Sequence, residues 1–431
     1  MSTIRHMIPL IGPYPQACKQ LGIKDEDEIY SLSAFKTNES ECTRYFTKKH
    51  INYIDEIDPE AVLDLSKETS MEHIKKFVKD NHIQPTDILT AVPPCTGLSL
   101  MNTSRKEGKG WGADAVQNYF MFFVVKFFLA TDTKVLVFEN APALSQVPGV
   151  PVLQHIQQII KDNGYDRNIT VTAVSTSYHG IPQNRKRTFC YIYKGDSQIL
   201  DDVRRETPNL TEYLKQYAAA NPRMPNDPMD AVPCYSKAFD DMYKACVKNG
   251  IKFSREHAIT YFKFLMQNKI DPDTLEKYGC DMSDKGVGYY KVLWQKMLNN
   301  HAGWDFSPAL LDGYINAITS KAGYQYRNLE TGKLLTTREM LDLMAYPSDF
   351  TIEDCQQHKY VNLICQNIPV NTAADSIKWA LQLLEGKHLN PVNNGKITKQ
   401  NQHDNFSKVE IVGEEKEKPQ KVPSTSFTLS K

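Results

Sequence analysis

The sequence lacks any Cys-x-x-Cys pair, although nine cysteines are scattered through its 431 residues. An odd number of dispersed thiols argues against a disulfide framework and against a zinc site, and for a reducing compartment. No metal is expected. Net charge is missing too, because 51 Lys and Arg balance 51 Asp and Glu. That balance gives no global signal for nucleic acid or an anionic membrane, though a neutral total can still hide a basic cleft. Long apolar runs are absent. The most apolar stretch, Tyr119 to Ala130, is broken by Lys126 and too short to span a bilayer, so it reads as a buried helix. The first residues, Met1-Ser2-Thr3-Ile4-Arg5-His6, carry no apolar leader core. These absences point to a soluble cytoplasmic protein with no membrane partner. No internal repeat is present.

What is there is an alternation of strand and helix. Residues 7–23 read as strand, loop, helix; 28–36 as a strand; 38–50 as a helix; 61–64 as a short strand; 70–81 as an amphipathic helix with Ile74, Phe77 and Val78 on one face. The run Asp87-Ile88-Leu89-Thr90-Ala91-Val92 reads as a buried strand. The pattern continues through a helix at 114–130, a strand at 134–138, a helix at 152–164, a strand at 169–175 and a closing strand at 188–193. Such alternation predicts an α/β, doubly wound, mostly parallel sheet. The expected organisation is an α/β domain over 1–200, a second, smaller domain over 201–330, a return to the first over 331–386, and a disordered polar tail over 387–431. Thr-capped helical sequence at 334–350 and a last helix at 371–386 mark the return.

Chemistry concentrates where strands end. Pro93 and Pro94 stop the strand before Cys95 and stiffen its loop. Open α/β sheets bind ligands at that edge, so Cys95 is a candidate nucleophile; a small buried hydrophobe is the competing reading. The next strand delivers Glu139-Asn140-Ala141-Pro142 to the same edge, and Gln183-Asn184-Arg185-Lys186-Arg187 precedes the closing strand. Between them, Met101 to Ala113 is rich in glycine and basic residues, as a lid would be.

In this order the blocks Pro93-Pro94-Cys95, Phe138-Glu139-Asn140 and Gln183 to Arg187 resemble the cytosine-C5 DNA methyltransferases. Leu335-Thr336-Thr337-Arg338-Glu339 and Ala345-Tyr346-Pro347-Ser348-Asp349-Phe350 resemble that family's motif after its recognition domain. The resemblance covers about 7–195 and 334–386, and it implies a Rossmann-like methyltransferase fold with 201–330 as the target-recognition domain. It implies Cys95 as the thiolate that adds to C6 of a flipped cytosine, Glu139 as the acid at N3, and Arg185 as the contact to the base carbonyl. For Glu139 and Arg185 a plain ion pair is the alternative. Asn140 would fix the cysteine loop, Gln183 and Arg187 would position the loops at the DNA, and Ser99 would lie beside them. Arg105, Lys106 and Lys109 on the lid would meet phosphates, unless that loop is merely solvated. Double-stranded DNA is the implied partner of a monomer in the cytoplasm of a bacterial or phage-infected cell.

The donor half departs from the family. A glycine-rich first loop is replaced by Ile8-Pro9-Leu10-Ile11-Gly12-Pro13-Tyr14, with bulk at Leu10 and Pro13. Lys36 stands where a ribose-binding acid is expected, Asp64 is the acid left for the adenine side, and Cys365-Gln366-Asn367 replaces a Gly-Asn pair. Ile11, Gly12, Tyr14, Lys36, Asp64, Pro93 and Asn367 are the expected donor-site residues. The intact base-activating half and altered donor half favour a one-carbon transferase with a non-standard donor. That donor would be 5,10-methylenetetrahydrofolate, giving 5-hydroxymethylcytosine, or a carboxylated S-adenosylmethionine paired with Lys36. An ordinary S-adenosylmethionine-dependent methyltransferase is nearly as well supported. A lapsed DNA-binding paralogue and a tRNA methyltransferase trail both.

Overall fold

The computed structural model describes residues 2–24, 28–30, 68–99, 111–112, 114–195, 197–198, 200–231, 237–251, 265, 268–281, 283, 285–298, 315–318, 335–352, 360–386, 391–392 and 397–401. The strands are β1 (Ile4–Met7), β2 (Glu28–Tyr30), β3 (Ile88–Ala91), β4 (Val135–Asn140), β5 (Asn168–Ser175), β6 (Gln183–Asn184), β7 (Lys186–Tyr193), β8 (Ser197–Gln198), β9 (Ile315–Asn316), β10 (Pro391–Val392) and β11 (Ile397–Asn401). Seven of them form one sheet in the order β11-β5-β7-β4-β3-β1-β2. Neighbours are parallel except at β7, which runs antiparallel to β4 and β5. The expected α/β class with a mostly parallel sheet is therefore present.

The central strands are apolar at nearly every position because both faces are covered. Every residue of β3 and β4 is buried, Glu139 and Asn140 included. The helices are α1 (Pro13–Gln20), α2 (Met71–Asp80), α3 (Asn118–Ala130), α4 (Val150–Asp162), α5 (Leu210–Ala220), α6 (Lys237–Lys248), α7 (Pro272–Lys277), α8 (Lys285–Leu298), α9 (Thr337–Asp342), α10 (Tyr360–Gln366) and α11 (Val370–Leu384). α1 packs on α11, which lies against β4 and β7; α2, α3 and α4 pack as a second group. α3 is the apolar run of the sequence, buried along almost its whole length, and no described helix is long and apolar enough to cross a membrane. α2 starts at Ser70, whose hydroxyl accepts from His73 N–H at 3.2 Å, and buries Ile74, Phe77 and Val78 as its spacing predicts.

Two boundaries differ from the sequence expectation. Residues 200–231 stay with the main core rather than with a second unit. α5 buries Leu210, Tyr213 and Leu214 there, and Met229 in the proline-rich stretch joins them. Arg338 locks that stretch with a two-pronged ion pair to Asp227, Nε–Oδ2 at 2.5 Å and Nη2–Oδ1 at 3.1 Å. Nor is the segment after 387 wholly without structure, since Ile397–Asn401 adds a parallel strand beside β5, from Ile397 opposite Ile169 to Asn401 opposite Ala173. Its polar sequence, Ile397-Thr398-Lys399-Gln400-Asn401, suits an edge strand. Within 237–298, α6, α7 and α8 contact one another. Their buried Met242, Cys246, Leu275 and Tyr290 lie outside the main cluster, as a smaller second domain would have them.

Candidate active site at the sheet edge

β3 ends at Ala91 and the chain turns through Pro93, Pro94 and Cys95. Leu98 N–H donates to Cys95 O at 3.1 Å, closing a tight turn around the half-buried thiol. The loop is clamped from two sides. Asn140, at the end of β4, donates through Nδ2 to Pro93 O at 3.5 Å and accepts from Ala141 N–H at 2.9 Å. On the other side Gly112 N–H donates to Gly97 O at 2.8 Å. A Cβ on Gly97 would stand 2.8 Å from Ala115 Cβ and 3.0 Å from Asn118 Oδ1, so only glycine fits this approach. Burial pushes the Cys95 thiol above its ordinary pKa, opposed by Arg187 and Arg185 and reinforced by Glu139.

Glu139 and Arg187 come together by register. Glu139 opposes Phe189 across β4 and β7, and Arg187 lies two residues before Phe189, so both project from one face as diagonal neighbours. Arg187 Nε lies 2.5 Å from Glu139 Oε1. Glu139 is buried, and burial raises its pKa while Arg187 and Arg185 pull it down. The plain ion pair that was the alternative reading for Glu139 and Arg185 is not formed between them; Glu139 pairs with Arg187. Arg185 is buried and its guanidinium spans two main-chain carbonyls, Nη1 to Ile318 O at 3.1 Å and Nη2 to Cys365 O at 2.6 Å. Burial lowers its pKa to about 9. Its Nε and the buried Tyr346 Oη find no hydrogen-bond partner among the described residues. Unspent polar atoms in a buried place are what a polar ligand would satisfy.

Gln183, expected at DNA, is fully buried with its carboxamide used inside the protein. Nε2 donates to Leu343 O at 3.2 Å, and Oε1 accepts from Ile318 N–H at 3.1 Å. Together with β6 pairing to β9, this ties the 315–318 segment to the sheet edge. Such a role is invisible in sequence, because a glutamine in a motif looks the same whether it faces solvent or core. Ser99 is half-buried at the end of the cysteine loop. Arg105, Lys106, Lys109, Lys36 and Asp64 lie outside the described residues.

The family's sequence profile, that of the C-5 cytosine-specific DNA methylases, matches residues 47–382. The chain belongs to the C-5 cytosine-specific DNA methylase family. No curated protein matches the sequence. Among solved structures, an Entamoeba histolytica methyltransferase, EhMeth, is 13% identical with a TM-score of 0.50, over 89% of this chain and 98% of its own. A Spodoptera frugiperda DNMT2 mutant is 13% identical at TM-score 0.44, over 88% and 100%. A putative DNA modification methyltransferase from an Escherichia coli prophage is 14% identical at TM-score 0.44, over 89% and 100%. The first of these likenesses speaks to the fold alone.

The loop expected at the donor in this methylase-family chain is mostly apolar. Ile8 and Leu10 adopt left-handed backbone, φ 54° and 53°, where glycine would be unstrained. Gly12, at φ 85°, closes the turn by donating to Pro9 O at 2.8 Å, and Pro13 opens α1 where its missing N–H costs nothing. Ile8, Leu10, Ile11 and Tyr14 are buried. Asn367 accepts from Ile11 N–H at 3.3 Å and donates to Leu363 O, so both ends of its carboxamide are engaged. The described residues of this loop present a mostly apolar lining, and the buried Tyr14 Oη has no hydrogen-bond partner among the described residues. No metal cluster occurs among the described residues.

Proposed function

We propose that this protein activates a flipped cytosine in DNA through Cys95, Glu139 and Arg187, and transfers a methyl group to C5. The observation that carries the reading is the convergence at one sheet edge of a clamped thiol, a buried carboxyl and its arginine. The Cys95 thiolate attacks C6, the electron pair moves through the ring toward N3, and Glu139 donates a proton to N3. C5 is left enamine-like and able to attack an electrophilic carbon, whose leaving group departs with the bonding pair; C5 then gives up its proton to solvent, the Cys95 thiolate leaves C6 and N3 returns its proton to Glu139, which restores the ring. A carboxyl held above its ordinary pKa suits this proton donation. Arg187, half-buried against Glu139, is better placed than the carbonyl-bound Arg185 to face the base edge, while Arg185 Nε remains as a second donor. Arg185 and Gln183 are read as positioning residues.

Family membership favours S-adenosylmethionine as donor over the methylenefolate or carboxylated alternatives. No described residue selects a folate. The region around α6 to α8 is read as the target-recognition domain. The test is incubation of the purified chain with duplex DNA carrying 5-fluorocytosine. A covalent adduct is expected with the native protein and none with Cys95→Ser. An adduct that persists in Cys95→Ser refutes the nucleophile, and product analysis by mass spectrometry identifies the transferred carbon.

A further inference from the structure

Away from the cysteine loop, α1, α5, the first turn of α11 and the turn at 345–349 enclose a half-open cleft of about 500 Å³. Gln16 lines it with only 5% of its surface exposed, and its carboxamide makes no hydrogen bond among the described residues. The carboxamide faces the cleft, where a bound molecule can pair with it. The 15-residue α11 begins at Pro369 without a side-chain cap. Val370 N–H is taken by Met344 O at 2.9 Å, while the next residue, Asn371, opens onto the cleft. Asn371 is held in place by Gln20, which donates to its Oδ1 at 3.2 Å. The helix start and Lys19 of α1 give one side a positive potential.

The other side is different. The Tyr217 ring stacks on Tyr213 at 5.5 Å and 21°, and its hydroxyl donates to Tyr346 O at 3.1 Å, so a fixed aromatic wall borders the cleft. Asn221 is oriented by its Nδ2 donating to Tyr217 O at 3.0 Å, which leaves its Oδ1 to accept. Asp349 stands exposed at the rim with no ion pair among the described residues.

We propose that this cleft, built by Gln16, Lys19, Tyr217, Asn221, Asp349 and the first turn of α11, binds a purine nucleoside monophosphate. Lys19 and the Asn371 N–H take the phosphate, with the helix dipole behind them, since the N–H groups of Val370, Thr372 and Ala373 already bond Met344 O and Pro369 O. Carboxamides suit the donor and acceptor edge of a purine, and the tyrosine wall gives its face a surface. Asp349 favours a base bearing an amino group and disfavours a bare polyanion. The volume is that of a site for a small ligand.

Calorimetry on the full chain with AMP, GMP, adenosine and inorganic phosphate tests this. AMP or GMP is expected to bind at least tenfold more tightly than adenosine or phosphate. Gln16→Leu and, separately, the surface change Lys19→Glu are each expected to weaken that binding tenfold or more. Melting temperature and 5-fluorocytosine trapping should stay as in the native chain. Equal affinity for phosphate alone, absence of nucleotide binding, or binding indifferent to Lys19→Glu overturns the proposal. So does displacement of AMP by S-adenosylhomocysteine, which would make the cleft part of the donor site. Failure of trapping with nucleotide binding intact would count against the catalytic reading and leave this one standing.

Discussion

Arg187 Nε and Glu139 Oε1 stand 2.5 Å apart as diagonal neighbours across an antiparallel pair of strands, one partner entering the edge as the other leaves the sheet. The reversal of β7 makes this possible. Running against β4, it brings the residues at its own beginning to the edge where β3 and β4 end.

Removing the cation should therefore do more than remove a contact. In Arg187→Ala the buried Glu139 loses its nearest counter-charge and its pKa climbs further. We expect the rate of 5-fluorocytosine trapping to fall by about 10²-fold or more, as for loss of a donor at a developing charge. The basic limb of its pH profile should move upward. A profile unchanged in position, measured by single-turnover trapping, would detach Glu139 from Arg187.

Asp342 gives a second pH dependence, in stability. Burial raises its pKa from 3.8 to about 7, although Arg223 Nη2 lies 3.1 Å from its Oδ2. A folded-state pKa above the unfolded one means the folded chain holds the extra proton. The stability it contributes is full below the unfolded value and is lost as pH rises toward 7. Each pH unit in that window costs at most about 1.4 kcal/mol. Denaturant midpoints should thus decline from about pH 4 to pH 7 in the native chain, and Asp342→Asn should flatten the decline.

Two glycines carry different weight. A Cβ on Gly149 would lie 2.2 Å from the backbone oxygen of Leu144, which cannot swing aside. Gly149→Ala should unfold the turn after β4 and cost several kcal/mol, on the order of 3 or more. A Cβ on Gly97 meets Ala115 Cβ at 2.8 Å, which moves only with its backbone, and Asn118 Oδ1 at 3.0 Å, which can give by a few tenths of an ångström. Gly97→Ala should cost about 1–3 kcal/mol in stability yet displace the cysteine loop. Its trapping rate should fall by a larger factor than its melting point suggests, since an error of about 1 Å in placement costs ~100-fold.

Truncation after Gly386 removes the strand paired with β5, and truncation after Asn401 keeps it. The shorter chain should melt several degrees below the longer one, at about 2–4 °C for each kcal/mol lost. Identical melting would mean that Ile397–Asn401 adds nothing to the sheet.

The sheet and its edge were legible because period and punctuation agree. Apolar runs at 88–92 and 135–138 end in Pro93 and in Asn140-Ala141-Pro142, and those ends place Cys95 and Glu139. Which arginine would meet Glu139 was not legible. Arg185 and Arg187 have the same parity, and only the register, with β7 beginning at Lys186, separates the one that reaches the carboxyl from the one that grips carbonyls. Composition does not reveal that Asp227, in the proline-rich stretch after α5, finds Arg338, 111 residues away. The polar 397–401 stretch likewise looked structureless, since an edge strand needs few apolar side chains when its partner supplies the ladder.

β4 lies between β3 and β7, with backbone partners on both sides from Val135 to Phe138 and on the β7 side as far as Asn140. In amide hydrogen exchange, such a strand opens only with the largest cooperative unit of the molecule, on the slowest timescale. The loop holding Cys95 is tethered by turn bonds and two clamps, and its amides should exchange through small local openings far sooner. Of the two residues proposed to act on the base, Glu139 is therefore fixed to the slowest part of the fold and Cys95 rides on one of its quicker segments.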